Sequence, residues 1–140
     1  MRGVKIIKKI KIAFVCVHNS CRSQMAEGWL KKLASTTFEV YSAGTHERDK
    51  IHPMAVQVMK ECDVDISAQR PKLINEIPSN LDIIITMGCD VVLPFSYNCS
   101  VEDWGIPNPV GGTIEDFRAA RDLIKSKVVH LIDKVSIFNL

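Results

Sequence analysis

Cys16 and Arg22 stand on either side of five residues, in the stretch Cys-Val-His-Asn-Ser-Cys-Arg-Ser from Cys16 to Ser23. That spacing lets a loop curl round one anion. The backbone N–H groups of Val17, His18, Asn19, Ser20, Cys21 and Arg22 would turn inward, and the Arg22 guanidinium would close the ring as a bidentate clamp. A thiol beneath such donors, near a helix N-terminus and an arginine, loses its proton readily. The thiolate is then poised to attack a tetrahedral oxyanion at phosphorus or arsenic. Ser23, directly behind Arg22, can donate a hydrogen bond to it.

A Cys-x5-Arg match arises often by chance, so its flanks decide its weight. Ile10 to Cys16 is apolar except for Lys11. It reads as a central parallel strand covered on both faces. A helix begins near Arg22, with Met25, Ala26, Trp29, Leu30 and Leu33 at helical spacing and facing the sheet. The alternative for Cys16, a small buried hydrophobe, fits this strand–loop–helix context poorly.

The longer string from Cys16 to Trp29, Cys-x-x-Asn-Ser-Cys-Arg-Ser-Gln-Met-Ala-Glu-Gly-Trp, resembles the low-molecular-weight tyrosine phosphatase superfamily. It is most similar to the thioredoxin-coupled arsenate reductase branch. The resemblance implies that Asn19 holds the anion loop bent, a task for which asparagine tolerates left-handed backbone. It implies supporting roles for Glu27 beneath the loop and for Ser42 at the end of a second strand, Phe38 to Ala43. Read from the residues alone, Glu27 is an exposed helix carboxylate and Ser42 a strand-end hydroxyl. Some arsenate reductases bind potassium with an Asp and a Thr from the stretch matching Ser67 to Leu73. Arg70 and Lys72 stand there here, so no metal is expected. The Lys72 ammonium takes the cation's place, or is a solvated loop lysine.

The resemblance also implies a thiol relay. Cys16 attacks arsenate, Cys89 attacks the Cys16 sulfur and releases arsenite, and Cys99 attacks Cys89 to leave a disulfide for thioredoxin. Two departures qualify it. Leu93 stands where many relatives have the resolving cysteine, which leaves Cys99 as either resolving thiol or free loop cysteine. Cys21 either forms a protective disulfide with Cys16 or only supplies backbone. Asn108-Pro109 stands where the superfamily has an Asp-Pro general acid, and asparagine cannot donate a proton in that way. Asn108 can still hydrogen-bond the arsenate; Asp103 and Glu102 are weak substitutes. The implied function is arsenate reductase, with no bound cofactor and thioredoxin as external reductant. The competing readings are a tyrosine phosphatase, which would want aromatic residues after Pro109 where Val110-Gly111-Gly112 stands, and a non-catalytic oxyanion-binding module.

Elsewhere the elements follow from local signals. Pro53 suits the first turn of a helix, with His52 as cap or loop residue and Ala55, Val56, Met59 and Cys62 on one face. Cys62 reads as a core thiol. Asp82 to Met87 is a third strand and Val101 to Ile106 a short fourth. Asp90 to Cys99 is a loop or short helix. Thr113 with Asp116 resembles a capping box. Phe117, Ala120, Ile124, Val128, Leu131 and Val135 mark one face of a closing helix. The expected fold is a single α/β domain over 1–140: a doubly wound, about four-stranded parallel sheet with helices on both faces and the site at the strands' carboxyl ends.

Composition sets the remaining bounds. The 140 residues are 46% apolar and 24% charged, an ordinary soluble globule. A net charge of +2 gives no case for nucleic acid. No apolar run suits a membrane span or a signal peptide, so a cytoplasmic monomer is expected. The 5 cysteines, in such a compartment, are reactive or buried thiols rather than a disulfide framework.

Overall fold

The computed structural model describes residues 8–88, 91–94 and 97–138. Four parallel strands form one sheet in the order β2-β1-β3-β4: β1 Ile10–Cys16, β2 Phe38–Gly44, β3 Ile83–Thr86 and β4 Ser100–Asp103. β1 lies inside the sheet, and Ile12 to Val15 are wholly buried, as a parallel strand covered on both faces requires. Alternation divides it: Ile12, Phe14 and Cys16 join one apolar cluster, Ala13 and Val15 the other.

The first cluster is packed by three helices: α1 Arg22–Ala34, α2 Pro53–Lys60 and α3 Ile114–Phe138. α1 contributes Met25, Ala26, Trp29 and Leu30; α3 contributes Phe117, Ala120, Ile124, Val128 and Leu131. The Trp29 indole N–H donates to the Arg121 carbonyl at 3.2 Å, so a buried ring keeps its polar edge satisfied. Leu33 departs from expectation and is 44% exposed, because the last turn of α1 outruns its cover. Cys62 also departs in part. α2 ends at Lys60, before Cys62, which is half-buried and packs against the core edge.

Helices were expected on both faces. Among the described residues, the second face carries a 3-10 turn, Ile74–Glu76, and irregular segments contributing Ile77, Leu81, Leu93, Tyr97 and Cys99. Pro71, Pro78 and Pro94 punctuate these segments, and a proline inside a helix would remove a backbone hydrogen bond. The four-stranded parallel α/β architecture otherwise stands.

Local chemistry sets the helix ends. His52 caps α2 by accepting from the Met54 N–H at 3.2 Å, with Pro53 in the first turn. Before α3, the Asp116 carboxylate accepts from the Thr113 N–H at 2.8 Å. The Thr113 hydroxyl donates to the same carboxylate at 3.3 Å, so only half of a capping box forms. β4 is shorter than expected, ending at Asp103. Asp103 accepts from the Thr86 hydroxyl at 2.7 Å and the Gly105 N–H at 3.1 Å, and Gly105 sits at φ +59°. No helix among the described residues is long and apolar enough to cross a membrane.

Candidate active site

β1 is flanked by β2 on one side and β3 on the other, so the chain leaves the sheet in opposite directions there. Such a switch point opens a crevice beyond the strands' carboxyl ends. Residues 17–21 fill it, between Cys16 at the end of β1 and Arg22 at the start of α1. A cavity of about 40 Å³ is lined by Cys16, Val17, His18, Ser20, Cys21, Arg22, Arg48, Asn108 and Val110.

The loop is held from below by a chain of hydrogen bonds. Asn19 is buried with φ +53°, the left-handed backbone its residue type tolerates. Its Oδ1 accepts from the Lys72 backbone N–H at 2.9 Å. That donor is unambiguous, so Nδ2 must be the atom facing the Ser23 hydroxyl at 2.8 Å. Ser23 Oγ accepts that N–H and lies 2.8 Å from Cys16 Sγ. An ionised sulfur can only accept, so Ser23 is the donor to the thiolate form, an arrangement that favours it.

Two supports were not legible in the sequence. Gln24 is buried, and its Nε2 contacts Asn19 O and Oδ1, each at 2.9 Å, and Arg70 O at 3.0 Å. Gln69 Nε2 donates to Gln24 Oε1 at 2.7 Å. Gly44 ends β2 opposite Cys16. A Cβ on Gly44 would lie 2.8 Å from Val17 O, from His18 C and from Asn19 N, so only glycine lets the loop pass. Arg48 lines the cavity too, and nothing in its local sequence marks a loop arginine for that place.

Arg22 is buried. Its Nη1 donates to the Ile106 carbonyl at 3.0 Å and the Met87 carbonyl at 3.3 Å. The guanidinium is thus oriented by backbone at the ends of β3 and just past β4.

A model of the low molecular weight phosphotyrosine protein phosphatase family matches residues 11–137. The chain belongs to that family. Within it, the chain is 40% identical over 130 residues to a glutaredoxin arsenate reductase of Synechocystis sp., covering 90% of this chain and 98% of the relative. It is 42% identical over 121 residues to an arsenate reductase of Staphylococcus aureus, covering 84% and 92%. A solved arsenate reductase in the phosphate binding state superimposes with a TM-score of 0.82 at 39% identity, covering 89% of this chain and 98% of that one.

In this family member, Glu27 is buried rather than exposed. It accepts from the Ser42 hydroxyl, and the Lys31 ammonium lies 2.6 Å from it. Lys72 Nζ stands 3.9 Å from the Glu27 carboxylate and donates to Arg70 O at 2.8 Å. Burial pulls the Lys72 amine below the ordinary lysine range, and Glu27 opposes that shift. The four residues Glu27, Ser42, Lys72 and Asn19 therefore meet beneath the loop, Lys72 through its backbone as well as its side chain.

Asn108 borders the cavity, and its Oδ1 accepts from the Val110 N–H at 3.2 Å. Neither neighbouring carboxylate replaces an acid there. Asp103 is committed to Thr86 and Gly105, and Glu102 lines a separate cavity with Ile10, Ile83 and Leu131.

The cysteines divide. Cys21 is 3% exposed; burial, then the neighbouring Cys16, push its thiol up to about 12 against the pull of Arg22. Cys99 is half-buried, its thiol also raised by burial and then by Asp82. It precedes β4 at the amino edge of the sheet, away from Cys16. Cys89 lies outside the described residues.

Proposed function

We propose that this chain, acting as one cytoplasmic, monomeric domain over 1–140, is an arsenate reductase. The observation that carries the reading is the Ser23–Cys16 hydrogen bond inside an oxyanion-sized loop closed by Arg22. Cys16 attacks arsenic while Arg22 and the loop amides of 17–22 hold the oxygens. Ser23 stabilises the sulfur anion, and Asn108 hydrogen-bonds the oxyanion from the rim. Glu27, Ser42, Asn19 and Lys72 hold the loop, with the Lys72 ammonium serving where relatives are implied to use a metal cation.

Cys89 then attacks the Cys16 sulfur. The S–As bond breaks, its electron pair reduces arsenic from the pentavalent to the trivalent state, and arsenite leaves a Cys16–Cys89 disulfide. Cys99 attacks Cys89, and an external dithiol reduces the product. A thioredoxin is our choice of donor. A solved Corynebacterium glutamicum relative, 28% identical, is described as thioredoxin-dependent, and the Synechocystis relative carries the name glutaredoxin.

The absence of an acid at Asn108 favours arsenate over phosphate esters, whose alkoxide or phenolate must be protonated to leave. The test is arsenite release with thioredoxin, thioredoxin reductase and NADPH, and in parallel with glutaredoxin and glutathione, beside p-nitrophenyl phosphate hydrolysis. Ester hydrolysis without arsenite release under either donor would replace this reading with a phosphatase.

A further inference from the structure

Whichever oxyanion binds, the oxygen that leaves as Cys16 attacks needs a proton. Asn108 cannot give one, Asp103 is engaged by Thr86 and Gly105, and Glu102 lines a different cavity. The proton must come from a side chain that lines the cavity. Val17 and Val110 carry no exchangeable proton, and Ser20 and Asn108 do not titrate near neutrality. Arg22 and Arg48 keep their protons at any working pH. Cys16 is the nucleophile, and Cys21 is held too high to cycle a proton near neutral pH. One lining residue remains, and imidazole is the side chain that gains and loses a proton near neutrality.

His18 has a second mark. Its Nδ1 is buried with no hydrogen-bond partner, in a molecule where Asn19, Ser23 and Gln24 beside it are fully engaged. Buried ring nitrogens rarely stay unpaired, and a group left so calls for an explanation. His18 itself lines the cavity that holds Cys16, where an oxyanion would bind. The cavity it lines is shared with Cys16, Cys21 and Arg22 from the loop, Arg48 from the β2–α2 connection, and the neutral Asn108. The His46 ring stands edge-on to the His18 ring, 6.1 Å away between centroids.

We propose that His18 is the catalytic proton donor of the Cys16 site, serving where the family acid position holds Asn108. For arsenate this rests on the function proposed above. The Cys16 thiolate attacks the hydrogen arsenate dianion. The S–As bond forms, one As–O bond breaks, and the departing hydroxyl takes the imidazolium proton and leaves as water. His18 is left neutral, Cys16 carries the arseno group, and arsenic stays pentavalent. For a phosphomonoester the ester oxygen takes the same proton.

The test compares p-nitrophenyl phosphate, a good leaving group, with phenyl phosphate, a poor one. His18→Gln should cut kcat on phenyl phosphate by on the order of 10²-fold or more, and on p-nitrophenyl phosphate far less. The alkaline limb of the wild-type pH profile should vanish, and the inhibition constant for phosphate should rise far less than kcat on phenyl phosphate falls, since the Arg22 clamp and the loop amides remain. Asn108→Asp added to His18→Gln should restore phenyl phosphate hydrolysis. Should His18→Gln fail to fold, His18→Gly with added imidazole gives the same answer through rescue. Equal losses on both esters, an unchanged alkaline limb, or no rescue by either route overturns the assignment. Arsenite release by the wild type, measured on the same preparation, judges the arsenate reading separately: its absence sinks that reading and leaves the ester comparison to decide His18.

Discussion

Cys16 and Cys99 lie at opposite edges of the sheet. Cys16 closes β1 at the carboxyl edge, whereas Cys99 immediately precedes β4, whose first residue, Ser100, is level with Ile83 and through it with Ile12. At about 3.3 Å per residue, Ile12 is roughly 13 Å short of Cys16 along the strand, and β4 lies two strand spacings away, about 10 Å. A relay in which Cys99 resolves a disulfide formed at Cys16 therefore needs the intervening chain to move, and we expect that movement to release β4 from β3. β4 is suited to that: it is an edge strand and all four of its residues are exposed. Cys99→Ser should release about one arsenite per enzyme and then stall as a Cys16–Cys89 disulfide. In the oxidised wild type, the Val101 and Glu102 amides should exchange with deuterium faster than in the reduced protein. Multiple turnovers by Cys99→Ser, or unchanged exchange, would remove Cys99 from the relay.

Cys21 should be silent near neutrality. With its thiol pushed up to about 12 from 9.0, iodoacetamide at pH 8 should spare it. The folded protein keeps a proton that the unfolded chain gives up above pH 9. Stability should therefore fall as pH climbs from about 9 toward 12, by up to about 1.4 kcal/mol per pH unit. Cys21→Ala should flatten that slope in paired denaturation curves. Matching slopes would show that Cys21 does not hold its proton in the folded state.

Gly44→Ala should damage the site from beneath. The added methyl meets three loop backbone atoms at 2.8 Å, none of which can swing away as a side chain would. Overpacking of this kind costs about 1–3 kcal/mol. We expect a lower melting temperature and at least a tenfold weaker inhibition by phosphate. A variant with wild-type inhibition would mean that β2 yields instead of the loop.

Arg22→Lys should weaken oxyanion binding although the charge is kept. Lysine lacks the planar fork, and an ammonium that donates to both Ile106 and Met87 keeps a single proton for the anion. The inhibition constants for phosphate and sulfate should rise by at least tenfold. Unchanged constants would show that positive charge alone suffices.

The sequence by itself determined whatever depends on near neighbours along the chain. Spacing placed the loop between a buried strand and a helix, put Ser23 within reach of Cys16, and marked the α3 face from Phe117 to Leu131. Pro53 with His52 announced the start of α2, and Asn108 announced a missing acid. Family resemblance brought Glu27, Ser42 and Lys72 under suspicion, but their residue types alone would have left them as surface groups. Only the tertiary structure decided which distant residues meet. Gly44 is indispensable because the loop after β1 crosses it, Gln24 is buried because Arg70 and Gln69 close over it, and Arg48 borders the cavity through the path of a loop. Cys99 sits at the far edge because of the register of β4 on β3. Periodicity specifies which face a residue takes, but strand register and loop path are set by contacts between segments tens of residues apart, and these leave no local pattern.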